Sequence, residues 1–237
     1  MPLKKSQGNM YEWTDATHAH LGGCCKHKCC YCYIDSPRFG RPAIYTGDLR
    51  LIEKEFKVNY DEHTLMKVCG KYPATIFIEH CNDLFADNVP DEFIMRVFAH
   101  CDWYPENTYV FQTKNPARYF SYDGKFPKNT IRGCTIETNR NIDGISEAPP
   151  VEGRMMAMEK LTGRKFLTLE PILNFDVDIL ASWIKRINPE FLNLGADSKN
   201  HGLPEPTVEK IHALVEELKK YGIDLREKHN LQRLKEK

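Results

Sequence analysis

Five of the chain's nine cysteines crowd into the nine residues Cys24-Cys25-Lys26-His27-Lys28-Cys29-Cys30-Tyr31-Cys32. Three of them, Cys25, Cys29 and Cys32, read C-x3-C-x2-C, with Tyr31 just before the last. A thiolate triad at this spacing can hold three irons of a cubic [4Fe–4S] cluster, which needs four cysteines to be ligated wholly by protein. Three cysteines leave one iron open, and an open iron is a place for chemistry. Zinc is the competing reading, with His27, Cys24 or Cys30 as a fourth ligand. A zinc site would ordinarily add a second ligand pair further on, and Cys69, Cys81, Cys101 and Cys134 all stand alone. Disulfides are disfavoured. The cysteine count is odd, no secretory leader is recognised, and the chain far exceeds a stapled mini-domain.

Composition sets the frame around this loop. A length of 237 residues suits one α/β domain over the whole of 1–237. Apolar residues make up 41% and charged residues 28%, as in soluble globular proteins. No apolar run approaches the ~20 residues that span a bilayer. Reduced thiols lead us to expect a cytoplasmic protein. The formal net charge is +0, so the chain lacks the basic excess of many nucleic-acid binders. Basic residues do gather at its ends: Lys4 and Lys5, then Arg226, Lys228, Arg233, Lys235 and Lys237.

The elements that must carry the cysteine loop alternate. Runs rich in β-branched and aromatic residues predict strands at Thr75–His80, Thr108–Thr113, Ile131–Glu137, Lys165–Glu170, Glu190–Leu194 and Ile223–Arg226, with a first strand within Ala16–Leu21. Helix-period stretches lie between them at Asp61–Gly70, Pro90–Cys101, Val151–Leu161, Asp176–Ile187 and Thr207–Tyr221. Strand–helix alternation with right-handed crossovers predicts a parallel sheet curled into a barrel or partial barrel. Most of these strands carry polar residues near the C-terminal end: Glu79, Gln112, Lys114, Thr135, Glu137, Thr168, Glu170, Asn193, Arg226 and Lys228. In a β/α barrel that rim binds ligands. The cysteine loop would be the first loop of the same rim, facing the same cavity.

The cysteine run resembles the signature of the radical S-adenosylmethionine (SAM) superfamily. Further stretches resemble a small radical SAM family of phages and mobile elements with no assigned substrate. They are Trp13-Thr14-Asp15-Ala16-Thr17, Asn82-Asp83-Leu84-Phe85, Val89-Pro90-Asp91-Glu92-Phe93, Phe111-Gln112-Thr113-Lys114-Asn115-Pro116 and Leu169-Glu170-Pro171-Ile172. The resemblance implies a partial (βα)6 TIM-like barrel and a [4Fe–4S] cluster on Cys25, Cys29 and Cys32. The fourth iron would chelate the amino and carboxylate groups of SAM, and one electron would cleave SAM to methionine and a 5′-deoxyadenosyl radical. A flavodoxin or ferredoxin is the expected electron donor.

The resemblance also suggests roles for individual residues. Tyr31 would pack near the SAM adenine. Glu79 or Asp83 would meet the methionine amino group, although the glycines of the superfamily's Gly-Gly-Glu segment are missing here. Thr135, Glu137, Thr138 and Asn139, at the end of the fourth strand, are candidates for the ribose hydroxyls. Lys114 and Arg154 are candidates for the SAM carboxylate; Arg154 also reads as an ordinary surface charge at a helix start. Glu170 would make polar contacts with SAM or substrate, or pair across the barrel. Cys81 and Cys134 are candidates to return hydrogen to a substrate radical, or simply small apolar fillers. The substrate class favoured is a nucleic acid or nucleotide. The alternatives are a peptide or protein substrate, and a non-catalytic zinc or iron–sulfur interaction module.

Overall fold

The structure, a computed structural model, describes residues 1–8, 10–35, 42–199 and 201–236, so Lys237 of the basic tail lies outside it. The strands are β1 Lys4–Lys5, β2 Ala16–His18, β3 Leu21–Gly22, β4 Arg50–Leu51, β5 Thr75–Ile78, β6 Thr108–Thr113, β7 Thr130–Thr135, β8 Lys165–Leu169, β9 Phe191–Leu194 and β10 Leu225–Glu227. The helices are α1 Glu62–Val68, α2 Asp91–Asp102, α3 Val151–Lys160, α4 Val177–Ile187, α5 Val208–Lys220 and α6 Gln232–Lys235. Each expected strand and helix forms, trimmed by a few residues. Local chemistry sets the limits. The Asp61 side chain accepts from Thr64 N at 2.8 Å to start α1, and Thr207 caps α5 the same way. Asn188, at φ 51, ends α4 in the left-handed conformation that asparagine tolerates.

Eight strands form one sheet in the order β1-β2-β5-β6-β7-β8-β9-β10. From β2 to β10 every pairing is parallel, and β1 adds an antiparallel edge beside β2. Spatial order follows chain order, so each crossover advances one strand. This is a partial TIM-like barrel with β1 and β10 as its edges. One crossover departs from the pattern. Between β6 and β7 the chain takes the 3-10 turn Pro116–Tyr122 where a helix would ordinarily lie.

Alternation sorts the side chains. Ile76, Ile78, Tyr109, Phe111, Leu167, Leu169, Leu192 and Leu194 point outward into the main core beneath the helices. Phe77, Val110, Ile131, Phe166 and Phe191 point inward and form a separate cluster with Tyr11, Met10 and Trp13. Tyr11 and Trp13 precede β2, so this cluster closes the N-terminal end of the barrel. Trp13 meets Phe191 at 4.8 Å and stacks on Tyr11 at 5.4 Å between centroids. The Arg226 guanidinium covers Phe191 at 3.6 Å. Gly133 makes this floor possible, because a Cβ there would lie 2.1 Å from the Phe166 ring.

A polar layer rests on the floor. Tyr11 OH donates to Gln112 Oε1 at 2.9 Å and lies 2.8 Å from Thr168 Oγ1. Gln112 Nε2 donates to Thr135 Oγ1 at 2.8 Å, and Asn193 Nδ2 to Thr168 Oγ1 at 3.1 Å. On the β6-to-β9 side the lumen is therefore cross-linked by its own side chains.

Candidate functional site

The cysteine loop leaves β2 through Gly22 and Gly23. Gly23 sits at φ 91, and a Cβ there would lie 2.3 Å from Asp48 O, so only glycine fits. The loop is then fastened from both sides. His27 Nε2 lies 2.7 Å from Asp83 Oδ2. On the other side Cys30 N donates to Ile145 O at 3.0 Å, and Glu147 N to His27 O at 2.7 Å. Lys28 Nζ adds a contact to Glu147 at 2.9 Å. The loop thus reaches across the barrel mouth to the segment that follows β7.

None of the nine cysteines forms a disulfide, and Cys30 is exposed. Burial pushes the Cys25 thiol up to about 12, with Asp83, Cys29 and Cys32 adding to the shift. Burial raises Cys29 as well. Cys29 and Cys32 thus lie within electrostatic reach of Cys25. Among the described residues no three His, Cys, Asp or Glu side chains gather as a single-ion site. A cubane makes a different demand, since each cysteinate takes its own iron, whereas zinc draws every thiolate to ~2.3 Å of one centre. Cysteine thiols are donors that an iron cluster can deprotonate on binding, and the donor set of Cys25, Cys29 and Cys32 fits.

Beside Cys29 stands a buried charge cluster centred on Glu137. Tyr31 OH donates to Glu137 Oε1. Arg154 Nη1 donates to Glu137 Oε2 at 2.8 Å, and Lys114 Nζ lies 3.5 Å from Oε1. Lys114 also sits 5.3 Å from the centroid of the Tyr31 ring. Burial alone would raise the Glu137 carboxyl; Lys114, Arg154 and the Tyr31 hydroxyl outweigh it and hold it below the usual value. Arg154 is 4% exposed, which corrects its reading as a surface charge. Its remaining donors hold Pro149 O and Thr135 O. A cavity of about 360 Å³ opens next to Glu137, Thr138 and Arg154, under the segment from Arg140 to Pro150.

Other candidates lie apart from this group. Thr138 Oγ1 donates to Asn174 O at 2.6 Å, and Asn139 Oδ1 accepts from Asp176 N at 2.8 Å. Both side chains stitch the loop after β7 to the loop after β8. Asp83 is buried and saturated. It accepts from Thr113 Oγ1 at 2.7 Å, Lys114 N at 2.8 Å and Phe85 N at 2.9 Å, besides meeting His27. Glu170 pairs with Lys228 Nζ at 2.8 Å inside the lumen. Cys134 packs in the outer core, on the face opposite the lumen.

Glu79 has turned away altogether. At φ 61 its side chain leaves the lumen and accepts from Leu21 N at 3.2 Å and from His20 N, and lies 3.0 Å from His20 Nδ1. His20 Nε2 continues to His100 Nδ1 at 2.9 Å, and neighbouring His18 meets Tyr60 and Glu55. This buried network lies on the outer face of the sheet.

Cys81 is 7% exposed, in a cluster with Ala19, Ile34 and Tyr45 against which Cys32 packs. Tyr33 OH lies 3.2 Å from Cys81 Sγ and donates to His80 O at 2.7 Å. Tyr33 was not a candidate from the sequence; its place immediately after the last motif cysteine was the signal available.

Comparison with solved structures places the fold. The chain is similar to a tyrosine-to-phenylalanine variant of spore photoproduct lyase, with TM-score 0.64, 12% identity, and coverage of 93% of this chain and 78% of that one. It is also similar to a spore photoproduct lyase variant with bound AdoMet and dinucleoside spore photoproduct, with TM-score 0.56, 14% identity, and coverage of 92% and 64%. A radical SAM methyltransferase from Sphaerobacter thermophilus matches with TM-score 0.58, 12% identity, and coverage of 92% and 67%. The chain thus has the fold of these radical SAM proteins and spans about two thirds to four fifths of their length. No curated protein matches it. No helix among the described residues is long and apolar enough to cross a membrane. Over residues 9–188 the chain matches the family model described as protein of unknown function (DUF5131), and it belongs to that family.

Proposed function

We propose that this protein is a radical SAM enzyme that modifies or repairs a nucleic acid or nucleotide. One observation carries the reading. A C-x3-C-x2-C loop lies across the mouth of a partial barrel, and a carboxylate fixed by two cations stands beside its Cys29.

Cys25, Cys29 and Cys32 would hold a [4Fe–4S] cluster. With SAM on its open iron, that group supplies a one-electron cleavage yielding a 5′-deoxyadenosyl radical. The chain's own residues do the rest. Lys114 and Arg154 supply positive charge for the SAM carboxylate. Glu137 and Tyr31 shape the adenosyl side, where the 360 Å³ cavity opens. Thr135 can meet the ribose, while Thr138 and Asn139 hold the wall of that cavity. Asp83 locks the loop through His27, and Glu79 anchors the backbone of His20 and Leu21 just ahead of it. Glu170, paired with Lys228, marks the opposite wall. The aromatic floor keeps water from the lower end of the lumen.

Cys81 stands at the mouth, where a substrate radical can take its hydrogen atom: a C–H bond forms as the S–H bond breaks. Cys134, facing the outer core, is poorly placed for that step. A reductant of the flavodoxin or ferredoxin class supplies the electron. The resemblance to spore photoproduct lyase supports the nucleic-acid substrate.

Anaerobic reconstitution with iron and sulfide, followed by SAM and dithionite, tests the reading. The expected product is 5′-deoxyadenosine, lost in Cys25→Ala, Cys29→Ala and Cys32→Ala. One equivalent of zinc without iron absorbance would support a metal-binding module instead.

A further inference from the structure

The left-handed residue Glu79 has a second effect. Such a conformation costs a non-glycine residue on the order of 1–3 kcal/mol and is a mark of functional sites. The turn that sends Glu79 outward sets His80 and Cys81 at the mouth, where Tyr33 OH holds His80 O. His80 is only partly buried, yet both its ring nitrogens are hidden from solvent and neither is held by a well-formed hydrogen bond, the His18 backbone offering a weak one. Histidine usually does the reverse and shows or pairs its nitrogens. Each unmet nitrogen costs about 1–3 kcal/mol.

The Thr17 hydroxyl shares that condition, and Tyr45 OH has only the weak acceptor of the Cys81 thiol. Thr17 lies opposite Phe77 on the lumen face of β2 and beside Lys4 of β1. Tyr45 packs with Cys81. The lumen is therefore lopsided. Its β6-to-β9 side satisfies its own polar groups, and its β1–β2–β5 side holds polar groups that are unpartnered or weakly held.

Building on the function proposed above, we propose that His80 binds the substrate, its ring turning to hydrogen-bond a nucleobase edge beside the Cys81 thiol. A neutral imidazole offers one donor and one acceptor, which suits the alternating donors and acceptors of a base edge. His80 stays neutral, because burial lowers it to about 3, with Lys4 and the chain's amino group adding to the effect. The Tyr33 ring is 39% exposed and fixed through its hydroxyl, a face on which a base can stack. Lys4 is exposed on the same side and can meet an adjoining phosphate. A peptide amide also pairs a donor with an acceptor, but it has no use for the stacking face.

The test uses the anaerobically reconstituted protein and fluorescently labelled single-stranded DNA homopolymers of each of the four bases, with a labelled mixed-sequence peptide as the competing probe. Wild-type protein should bind at least one homopolymer. His80→Ala should weaken that binding about tenfold, as expected for one buried hydrogen bond, and His80→Asn, which keeps a donor and an acceptor, should restore most of it. Iron content and circular dichroism check that both variants fold and load. Equal affinity of wild type and His80→Ala for every homopolymer would overturn the role of His80. Peptide binding that depends on His80, without oligonucleotide binding, would overturn the nucleobase. A wild-type protein that forms 5′-deoxyadenosine yet binds no homopolymer sinks this inference alone; one that forms none sinks the enzymatic reading.

Discussion

Arg154 Nη1 and Glu137 Oε2 lie 2.8 Å apart in a pair that is 4% and 2% exposed. Removing one partner of such a pair strands a buried charge and costs about 3–5 kcal/mol. Lys114 remains near Glu137, so we expect Arg154→Ala to lose about 3 kcal/mol, the lower end of that range. Arg154→Lys should recover only part of it, because lysine cannot hold Glu137, Pro149 O and Thr135 O together. Urea unfolding of the three proteins is the measurement.

Asp83 should govern cluster loading without being a ligand. Asp83→Asn weakens the fastening of His27 and exchanges an acceptor for a donor facing Lys114 N. Iron bound per chain after reconstitution should fall severalfold. An iron content equal to wild type would show that the loop closes without this contact.

Cys24 and Cys30 lie outside the triad. Cys30 is exposed, and Cys24 donates to Tyr45 O at 3.5 Å. Cys24→Ser and Cys30→Ser should keep full iron content and 5′-deoxyadenosine formation. Loss of iron in Cys24→Ser would shift the first ligand position by one residue.

Glu79 makes a pH-dependent contribution of defined sign. Burial raises its carboxyl from 4.5 to about 7. A raised folded value favours the protonated acid in the fold. The stabilisation is complete below about pH 4.5 and is lost as pH climbs through 7, about 3 kcal/mol in all. His18, His20 and His100 act oppositely. Burial lowers all three, so their contribution is present above pH 6.5 and is lost on acidification. Comparing Glu79→Gln with wild type cancels His18 and His100 and leaves Glu79 with its neighbour His20. The stability of wild type relative to the variant should decline from about pH 5 to about pH 8. A flat difference would contradict the assignment.

Gly133 is set by the floor. Gly133→Ala drives a methyl into the Phe166 ring and should cost about 1–3 kcal/mol as overpacking. Gly133→Ala with Phe166→Leu should recover part of the loss, a non-additivity that a double-mutant cycle reads directly.

The barrel was legible because its strands are short apolar runs with a polar end, and parallel strands buried on both faces write that pattern into the chain. The strand-end rule also found Lys114, Glu137 and Glu170. It failed at Glu79, where a single left-handed residue reverses the alternation, and φ is not visible in a lone glutamate. Arg154 looked like a surface charge because two of its three acceptors, Thr135 O and Glu137, belong to β7 and the residues just after it, well outside its own helix. Thr138 and Asn139 looked like ribose ligands, since side chains that stitch two loops use the same chemistry as side chains that bind hydroxyls. Tyr11 gave no signal and Trp13 only that of the family resemblance, because the floor they plug exists only once the sheet has curled.

The plug has a further consequence. The barrel is a cup and not a pipe: in the reaction proposed above, substrate, product and reductant would share one doorway, with the cysteine loop laid across it. A polymer can drape over that opening and dip one unit inside, but it cannot be threaded through. The enzyme would then select a site along a chain by what a single unit can reach, and each turnover would wait for that unit to back out the way it came.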